Sequence, residues 1–134
     1  MNNIQGNISD IQTEGNLSIV SVRTSGDLLL KSIVIENPDS ADYLKIGNPI
    51  RLIFKETEVV IGMPDQKGLS LQNKIPATIK EIDQGTLLSK LDLDSEVGNL
   101  CSIISTNAVE TLKLRPGSTV LAMVKLNEVM LTDL

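Results

Sequence analysis

Two lysines, Lys55 and Lys125, occupy the same place in two similar stretches of the chain, and their pattern is the clearest indication of chemistry in the sequence. Each lysine ends a hydrophobic run, and in both stretches a Glu-Val pair follows three residues later. A lysine at the end of a strand is ordinarily a solvated surface residue. Recurrence at an equivalent position favours a shared role instead, and a compact ammonium group can bind an anion without proton transfer.

The remaining residues offer little for catalysis. The chain contains no histidine, which removes the commonest general base and the commonest transition-metal ligand. Its single cysteine, Cys101, has no histidine to activate it and is expected to be a small buried hydrophobic residue. The acidic stretch with Asp92, Asp94 and Glu96 lacks the glycine and the terminal glutamate of a calcium loop, so we expect a solvated turn. We therefore predict a binding protein, not an enzyme, with no cofactor and no directly coordinated metal.

The composition restricts the partners and the compartment. The formal net charge is -5 and the isoelectric point is about 4.6, so the chain repels nucleic acid and anionic membranes. Only Tyr43 and Phe54 are aromatic, which removes the stacking surfaces of single-strand binders. The first residues do not resemble a signal peptide, and no apolar run is long enough to span a membrane. We expect a cytoplasmic protein with neither nucleic acid nor membrane as a partner.

The two lysine stretches belong to a longer internal repeat with a period of roughly 70 residues. Upstream of the lysines, Leu-Lys-Ile-Gly at residues 44–47 corresponds to Leu-Arg-Pro-Gly at residues 114–117. We divide the chain into a first copy at 1–63, a short linker at 64–68 and a second copy at 69–134. A copy of about 65 residues is small for independent stability, so we expect the two copies to pack together or to oligomerise.

Each copy is predicted to form five short strands, with one helical turn between the third and the fourth. In the first copy the strands are expected at 4–11, 17–23, 28–35, 50–54 and 58–62. In the second copy they are expected at 74–83, 87–93 and 100–105, followed by two closing strands. Helices are expected over 41–44, capped by residue 39 or 40, and over 106–112, capped by residue 106 or 107 unless Ser105 itself is the cap. This all-β layout is typical of two tandem five-stranded OB-like barrels, each with one short helix.

Three segments of the second copy carry a pattern that resembles a known family. They are Ser-Leu-Gln-Asn-Lys-Ile-Pro-Ala-Thr-Ile at 70–79, Ile-Ile-Ser-Thr-Asn-Ala-Val at 103–109 and Met-Val-Lys-Leu-Asn-Glu-Val-Met-Leu at 123–131. These segments resemble the opening, middle and closing motifs of the molybdate-binding Mop domain, also called TOBE. The first copy matches more loosely, through residues 2–8 and 44–61. The tandem layout is similar to the di-Mop molbindins and to the sensor half of the molybdate-responsive repressor.

The resemblance implies that a molybdate or tungstate dianion binds between subunits. In the family its ligands are the opening Ser and Arg, the middle Thr and Ser of a neighbouring copy, and the closing Lys with the adjacent backbone. Carried over residue by residue, the candidate oxyanion-binding residues are Ser70, Gln72, Ser105, Lys125, Leu126 through its backbone, and Lys55. Gln72 replaces the family's arginine, Ala108 replaces its second hydroxyl residue, and Met1 falls at the arginine position of the first copy.

The replacement of arginine by Gln72 keeps hydrogen-bond donors but removes a positive charge. A hydrogen bond that involves a charged group contributes roughly 1.5–3 kcal/mol, so its loss corresponds to about one to two decades of affinity. Either the protein binds the anion more weakly than its relatives do, or another lysine compensates. Lys74 is the candidate by its proximity in the sequence.

The leading functional prediction is a cytoplasmic molybdate or tungstate binder for storage, buffering or homeostasis. Two alternatives remain open, a ligand-sensing C-terminal module of a molybdate-responsive transcription regulator and a regulatory or assembly module that has lost its ligand. The resemblance implies a homo-oligomer, with a trimer as the first expectation and a dimer as the second.

Overall fold

The computed structural model describes all 134 residues, with ten β-strands, one α-helix and three 3-10 turns. The first-copy strands are β1 (Asn2–Glu14), β2 (Leu17–Thr24), β3 (Leu29–Val34), β4 (Pro49–Phe54) and β5 (Val60–Gly62). The second-copy elements are β6 (Asn73–Gln84), β7 (Leu88–Ser95), β8 (Gly98–Ser105), α1 (Thr106–Thr111), β9 (Thr119–Val124) and β10 (Met130–Asp133). The 3-10 turns are Ser25–Asp27, Glu56–Glu58 and Leu126–Glu128. The strands lie where alternation and turn residues predicted them, although β1 is longer at both ends.

The strands form two five-stranded antiparallel sheets that exchange their closing strands. The first sheet has the order β10-β4-β1-β2-β3, and the second has the order β5-β9-β6-β7-β8. β10 pairs with β4 through Met130 and Ile53, and β5 pairs with β9 through Val60 and Met123. Each sheet therefore takes one strand from the other sequence copy.

The two copies have the same internal register. In the first sheet the β1–β2 ladder shifts between Ile8 and Asp10, and in the second the β6–β7 ladder shifts between Ile79 and Glu81. A bulge at the same point of both long strands bends each sheet in the same place. Positions in the two copies can consequently be matched pair by pair.

One hydrophobic core spans both copies. It contains 24 buried residues from all parts of the chain, almost all of them Ile, Leu, Val and Ala, as the scarcity of aromatic residues predicts. Phe54 is the exception and is only 1% exposed. The strands alternate buried and exposed residues, so one face of each sheet packs inward. The expectation that the copies pack together is confirmed.

A single α-helix is present, and the helix predicted for the first copy is wrong. In the second copy the Oγ of Ser105 accepts a hydrogen bond from the backbone N–H of Ala108 at 3.0 Å, so Ser105, not residue 106 or 107, caps α1. In the first copy the Oδ1 of Asn37 accepts from the backbone N–H groups of Asp39 and Ser40, each at 2.9 Å, as a helix cap does. No helix continues from it, because the N–H groups of Leu44 and Lys45 close tighter turns onto the oxygens of Ala41 and Tyr43.

Candidate functional site

Two buried asparagines join the copies at the start of their first strands. The Nδ2 of Asn73 donates to the backbone oxygen of Lys31 at 2.8 Å, and the Lys31 N–H donates to Asn73 Oδ1 at 2.7 Å. Asn2 makes the equivalent pair of hydrogen bonds with the backbone of Cys101, at 2.9 and 2.7 Å. Each carboxamide therefore acts as one further rung on the edge of the other copy's sheet.

Two buried serines make a second pair of equivalent contacts. The Oγ of Ser32 on β3 donates to the backbone oxygen of Val129 at 2.6 Å, and the Oγ of Ser102 on β8 donates to the oxygen of Val59 at 3.0 Å. Each of these backbone oxygens belongs to the residue after a 3-10 turn, and each turn follows one of the two candidate lysines, Lys55 or Lys125. The serines thus fix both turns against the opposite copy.

Lys55 and Lys125 have nearly the same backbone geometry. Each follows its strand with extended φ and ψ angles, -75° and 148° for Lys55 and -68° and 145° for Lys125, and each precedes a 3-10 turn. Both side chains are exposed in the single chain. The residues that follow them differ, because Leu126 is buried whereas Glu56 pairs with the α-ammonium of Met1 at 2.6 Å. The lysine environments are therefore equivalent in shape but different in charge.

The structure brings Gln72 next to Lys125. Asn73 pairs with Val124 in the β6–β9 ladder, so the next residue on each strand is Gln72 on one side and Lys125 on the other. Ser70 is exposed two residues further along, before β6 begins. By the equivalent register, Asn2 pairs with Phe54, which sets Met1 beside Lys55. Two of the six candidate residues, Gln72 and Lys125, thus lie side by side at one end of the second sheet, with the backbone of Leu126 adjoining Lys125.

Ser105 lies at the opposite end of the same sheet. It pairs with Leu88, which is beyond the end of β6 at Gln84, whereas Asn73 begins that strand. The full length of β6, about 35 Å along the strand, separates the two ends. Ser105 and Lys125 of one chain are therefore not brought together by the contacts within this sheet. The Ser105 hydroxyl accepts a hydrogen bond from Ala108 but can still donate its own proton to a ligand.

Cys101 is only half-buried, which corrects the expectation of a buried residue. With Ile82 it lines a cavity of about 340 Å³ on the outer face of the second sheet, together with Lys90 and three carboxylates, Glu81, Asp83 and Asp92. Burial raises the pKa of the Cys101 thiol, and nearby Lys90 only partly opposes this effect. No three carboxylate, cysteine or histidine side chains are grouped so that they could hold a metal ion.

The positions of the two asparagines in the repeat are a sequence signal for them. Asn2 and Asn73 stand at the same place at the beginning of the two copies, as Lys55 and Lys125 do at their ends. Their backbone partners could not be identified, because Lys31 lies 42 residues from Asn73 and Cys101 lies 99 residues from Asn2.

The α-helix α1 has six residues, and the structure contains no helix that could span a membrane.

The second copy matches a known family model, and the chain resembles proteins of molybdenum handling. Residues 69–131 match the TOBE domain. The Molybdenum import ATP-binding protein ModC of Rhizobium etli is 27% identical over 125 residues, which cover 91% of this chain and 32% of ModC. The chain therefore spans about a third of the length of that relative.

Two solved structures are similar to this chain, one over nearly its whole length and one over less than half of it. The cytoplasmic molybdate-binding protein ModG, solved with molybdate bound, has a TM-score of 0.91 at 23% identity and matches 99% of this chain and 96% of its own. A molybdate-binding protein from Sporomusa ovata is 39% identical over 44% of this chain and 88% of its own, with a TM-score of 0.43. The ModG likeness shows that the exchanged two-sheet fold is a known one. The second copy, residues 69–131, is thus a TOBE domain, the family that its three motifs resemble.

Proposed function

We propose that the chain binds molybdate or tungstate in the cytoplasm, at sites shared between subunits, for storage, buffering or homeostasis of the oxyanion. The observation that carries the proposal is the juxtaposition of Lys125 with Gln72 at an exposed end of the TOBE-matched copy. The function described for ModG, molybdate binding, supports the choice of ligand. A binding role also agrees with the raised pKa of the only thiol and with the lack of histidine.

The donor set suits a tetrahedral dianion. Lys125 supplies a full charge, Gln72 and Ser70 supply neutral donors, and the backbone N–H of Leu126 lies beside the lysine. Such groups bind an oxyanion by charge-assisted hydrogen bonds. In the family a hydroxyl from the middle motif, residues 103–109 here, also binds the anion, but Ser105 lies at the other end of the sheet. Ser105 of a second chain is the residue that would complete the set. The proposal therefore includes a homo-oligomer, a trimer of tandem copies first and a dimer second.

Isothermal titration with molybdate, tungstate and sulfate tests the ligand. We expect heat with molybdate or tungstate, and we expect Lys125→Gln to weaken the binding by about ten- to a hundredfold, as for one lost charge-assisted contact. Lys45→Gln is the matched control, because Lys45 is an exposed lysine of the first copy away from the candidate residues. No heat with either metal oxyanion at high protein concentration would refute the proposal.

A second function, a regulatory or assembly module without a ligand, is favoured by the departures at Gln72 and Ala108. The match to one third of ModC supports a version in which this module forms part of a longer protein, as a sensor domain does. Light scattering with and without molybdate separates the two functions. An oligomer that forms equally well in both conditions, together with no heat of binding, would favour the assembly module.

A further inference from the structure

An ion pair within the chain lies beside Lys55, at the first-copy place that corresponds to the candidate site. By the register of the two ladders, Lys55 corresponds to Lys125 and Met1 corresponds to Gln72. The Oε1 atom of Glu56, the residue that follows Lys55, accepts a hydrogen bond from the α-ammonium of Met1 at 2.6 Å. Lys125 takes part in neither of the two salt bridges of the chain. The first copy therefore holds a carboxylate of its own at this end of its sheet.

Both partners of this ion pair are attached to backbone that the fold holds in place. Met1 precedes Asn2, whose carboxamide forms two hydrogen bonds with the backbone of Cys101, at 2.7 and 2.9 Å. Glu56 begins the 3-10 turn that ends before Val59, and the Val59 oxygen accepts a hydrogen bond from the second copy at 3.0 Å. The two side chains are partly exposed, 44% for Met1 and 29% for Glu56. A ligand in solution can thus reach the pair, although the fold sets its position.

Glu56 is the carboxylate by which the two turns after the lysines differ. These turns read Glu-Thr-Glu in the first copy and Leu-Asn-Glu in the second. Their last residues, Glu58 and Glu128, are the same, whereas their first residues are Glu56 and the neutral Leu126, which is only 9% exposed. The hydrogen bond from the Met1 ammonium is the main cause that lowers the pKa of the Glu56 carboxyl. The carboxylate of the ion pair is therefore ionised at neutral pH.

The two places differ in which cation is free, not in the net charge of the matched residues. Met1, Lys55 and Glu56 together carry the same net charge as their three counterparts in the second copy. In the first copy, however, the Met1 ammonium is already engaged by a carboxylate at 2.6 Å. An oxyanion that is to accept a hydrogen bond from this ammonium must displace Glu56 or lie beside it, where like charges repel.

We propose that the Glu56 carboxylate is an internal competitor of the oxyanion, which keeps the affinity of the first-copy place below that of the place beside Lys125. This inference rests on the proposed function and concerns the inequality of its two copies. The Met1 ammonium supplies a charge at the position where Gln72 has none. Without the Glu56 carboxylate the first copy offers this ammonium and Lys55 together, so it binds the oxyanion at least as tightly as the second copy does.

Calorimetric titration with molybdate of the unaltered chain and of Glu56→Leu, which gives the first turn the residue of the second, tests the inference. Each protein is prepared with the Met1 amino group free. We expect one class of tight sites in the unaltered chain and twice as many tight sites in Glu56→Leu, because the first-copy place gains about ten- to a hundredfold in affinity. Glu58→Gln is the matched control. It removes the carboxylate that Glu128 repeats, and it is expected to leave the number of tight sites unchanged.

Double variants locate the added sites. Glu56→Leu combined with Lys55→Gln is expected to lose the added class, and Glu56→Leu combined with Lys125→Gln is expected to lose the original one. The thermal unfolding midpoint of each variant is measured alongside, so that a folding defect is recognised. Glu56→Gln keeps the length of the side chain and removes its charge, and it takes the place of Glu56→Leu if that variant does not fold.

The outcomes separate this inference from the proposed function. If neither the unaltered chain nor Glu56→Leu gives heat, the proposed function fails and the inference fails with it. Heat with Glu56→Leu alone would support the competitor role of Glu56 and refute the proposed function of the unaltered chain. If the unaltered chain binds molybdate and Glu56→Leu shows the same number of tight sites, only the inference fails.

Crystals soaked in tungstate give a readout that does not depend on heat. In Glu56→Leu we expect an anomalous peak within hydrogen-bonding reach of the Met1 nitrogen, and we expect no peak there in the unaltered chain at the same tungstate concentration. Equal peaks beside Lys55 and Lys125 in the unaltered chain would overturn the inference.

Discussion

Asn73 is a buried side chain that joins the two copies next to the candidate site. It is 1% exposed, and both of its hydrogen bonds go to the backbone of Lys31 on the other copy. The next residue toward the N-terminus is Gln72, so the position of the candidate site relative to the first sheet depends on this carboxamide. A buried amide of this kind stabilises the fold mainly because its partners would otherwise be left without hydrogen bonds.

Asn73→Ala is expected to lower the free energy of unfolding by about 2–4 kcal/mol, because two hydrogen bonds are lost and the Lys31 N–H and C=O are left unpaired. Asn99→Ala is the control, since the exposed Asn99 bonds only to Asp92 and is expected to change stability by less than about 0.5 kcal/mol. Urea unfolding at one fixed protein concentration measures both. Equal unfolding midpoints for the two variants would contradict the assigned role of Asn73.

At the residue scale, the sequence identifies the two candidate lysines but not the residues that contact their neighbours. Lys55 and Lys125 could be identified because the repeat places them at equivalent positions, and the structure gives them equivalent backbone angles. The contact between Asn73 and the backbone of Lys31 could not be identified, because it crosses 42 residues and depends on how two sheets pack. The six candidate ligands remain a prediction until a ligand is bound.

Among the elements, the segment between β3 and β4 differs most from its counterpart in the second copy. Residues 103–114 include α1, whereas the first-copy segment is built from turns around Asn37. The Tyr43 hydroxyl donates a hydrogen bond to the carboxylate of Glu36, and Asn48 donates to the Tyr43 backbone oxygen at 3.0 Å. Tyr43, the only tyrosine of the chain, therefore links the two ends of this helix-free segment through Glu36 and Asn48.

The free energy of unfolding is expected to fall at alkaline pH because of Tyr43 in this segment. Burial, the hydrogen bond to Glu36 and the charges of Glu36 and Asp133 raise the pKa of Tyr43 above its ordinary value of 10.0. Since the folded state holds the proton more tightly, the stabilising contribution is complete below about pH 10 and is lost as the pH rises further. Tyr43→Phe is expected to cost about 1 kcal/mol at neutral pH and to lose stability less steeply above about pH 10.

Two measurements check this dependence. Urea unfolding of the unaltered chain and of Tyr43→Phe is compared at neutral and alkaline pH. The ultraviolet absorbance of tyrosinate, which reports Tyr43 alone, is titrated in the folded chain and in concentrated urea. Ionisation at the same pH in both conditions would contradict the prediction.

The elements themselves were largely predictable, because alternation of buried and exposed residues specifies a strand locally. The first-copy helix was not, because the backbone from Ala41 to Lys45 closes tight turns instead of continuing a helical hydrogen-bond pattern, which propensity alone does not reveal. The cap of α1 was predicted at residue 106 or 107, with Ser105 as the other candidate, because Ser105 both ends β8 and begins α1.

At the scale of the whole molecule, the exchange of closing strands makes the two copies interdependent. β10 completes the first sheet and β5 completes the second, at equivalent registers of Met130 with Ile53 and Val60 with Met123. The sequence predicted both closing strands but not their partners, because a short strand after a tight turn could pair with either copy. Packing against the opposite copy, fixed by Ser32 and Ser102, selects the exchanged arrangement.

A half-chain of residues 69–134 tests this interdependence. Alone it lacks β5, so the edge of β9 has no partner. β10 is the equivalent of β5, so β10 of one half-chain can pair with β9 of another. Its Val129 oxygen can then accept a hydrogen bond from Ser102 of that second half-chain, as Val59 does in the whole chain. We therefore expect a folded assembly of twice the half-chain mass or an even multiple, and little folded monomer.

Light scattering gives the mass of the half-chain, and circular dichroism gives its strand content. A half-chain shortened to residues 69–129 is the matched control, because it lacks β10 and should neither associate in this way nor fold stably. Ser102→Ala in the half-chain should weaken the association without removing any strand. A folded monomer of 69–134 would show that the exchanged strand is dispensable, because the second sheet would then be stable with an open edge at β9.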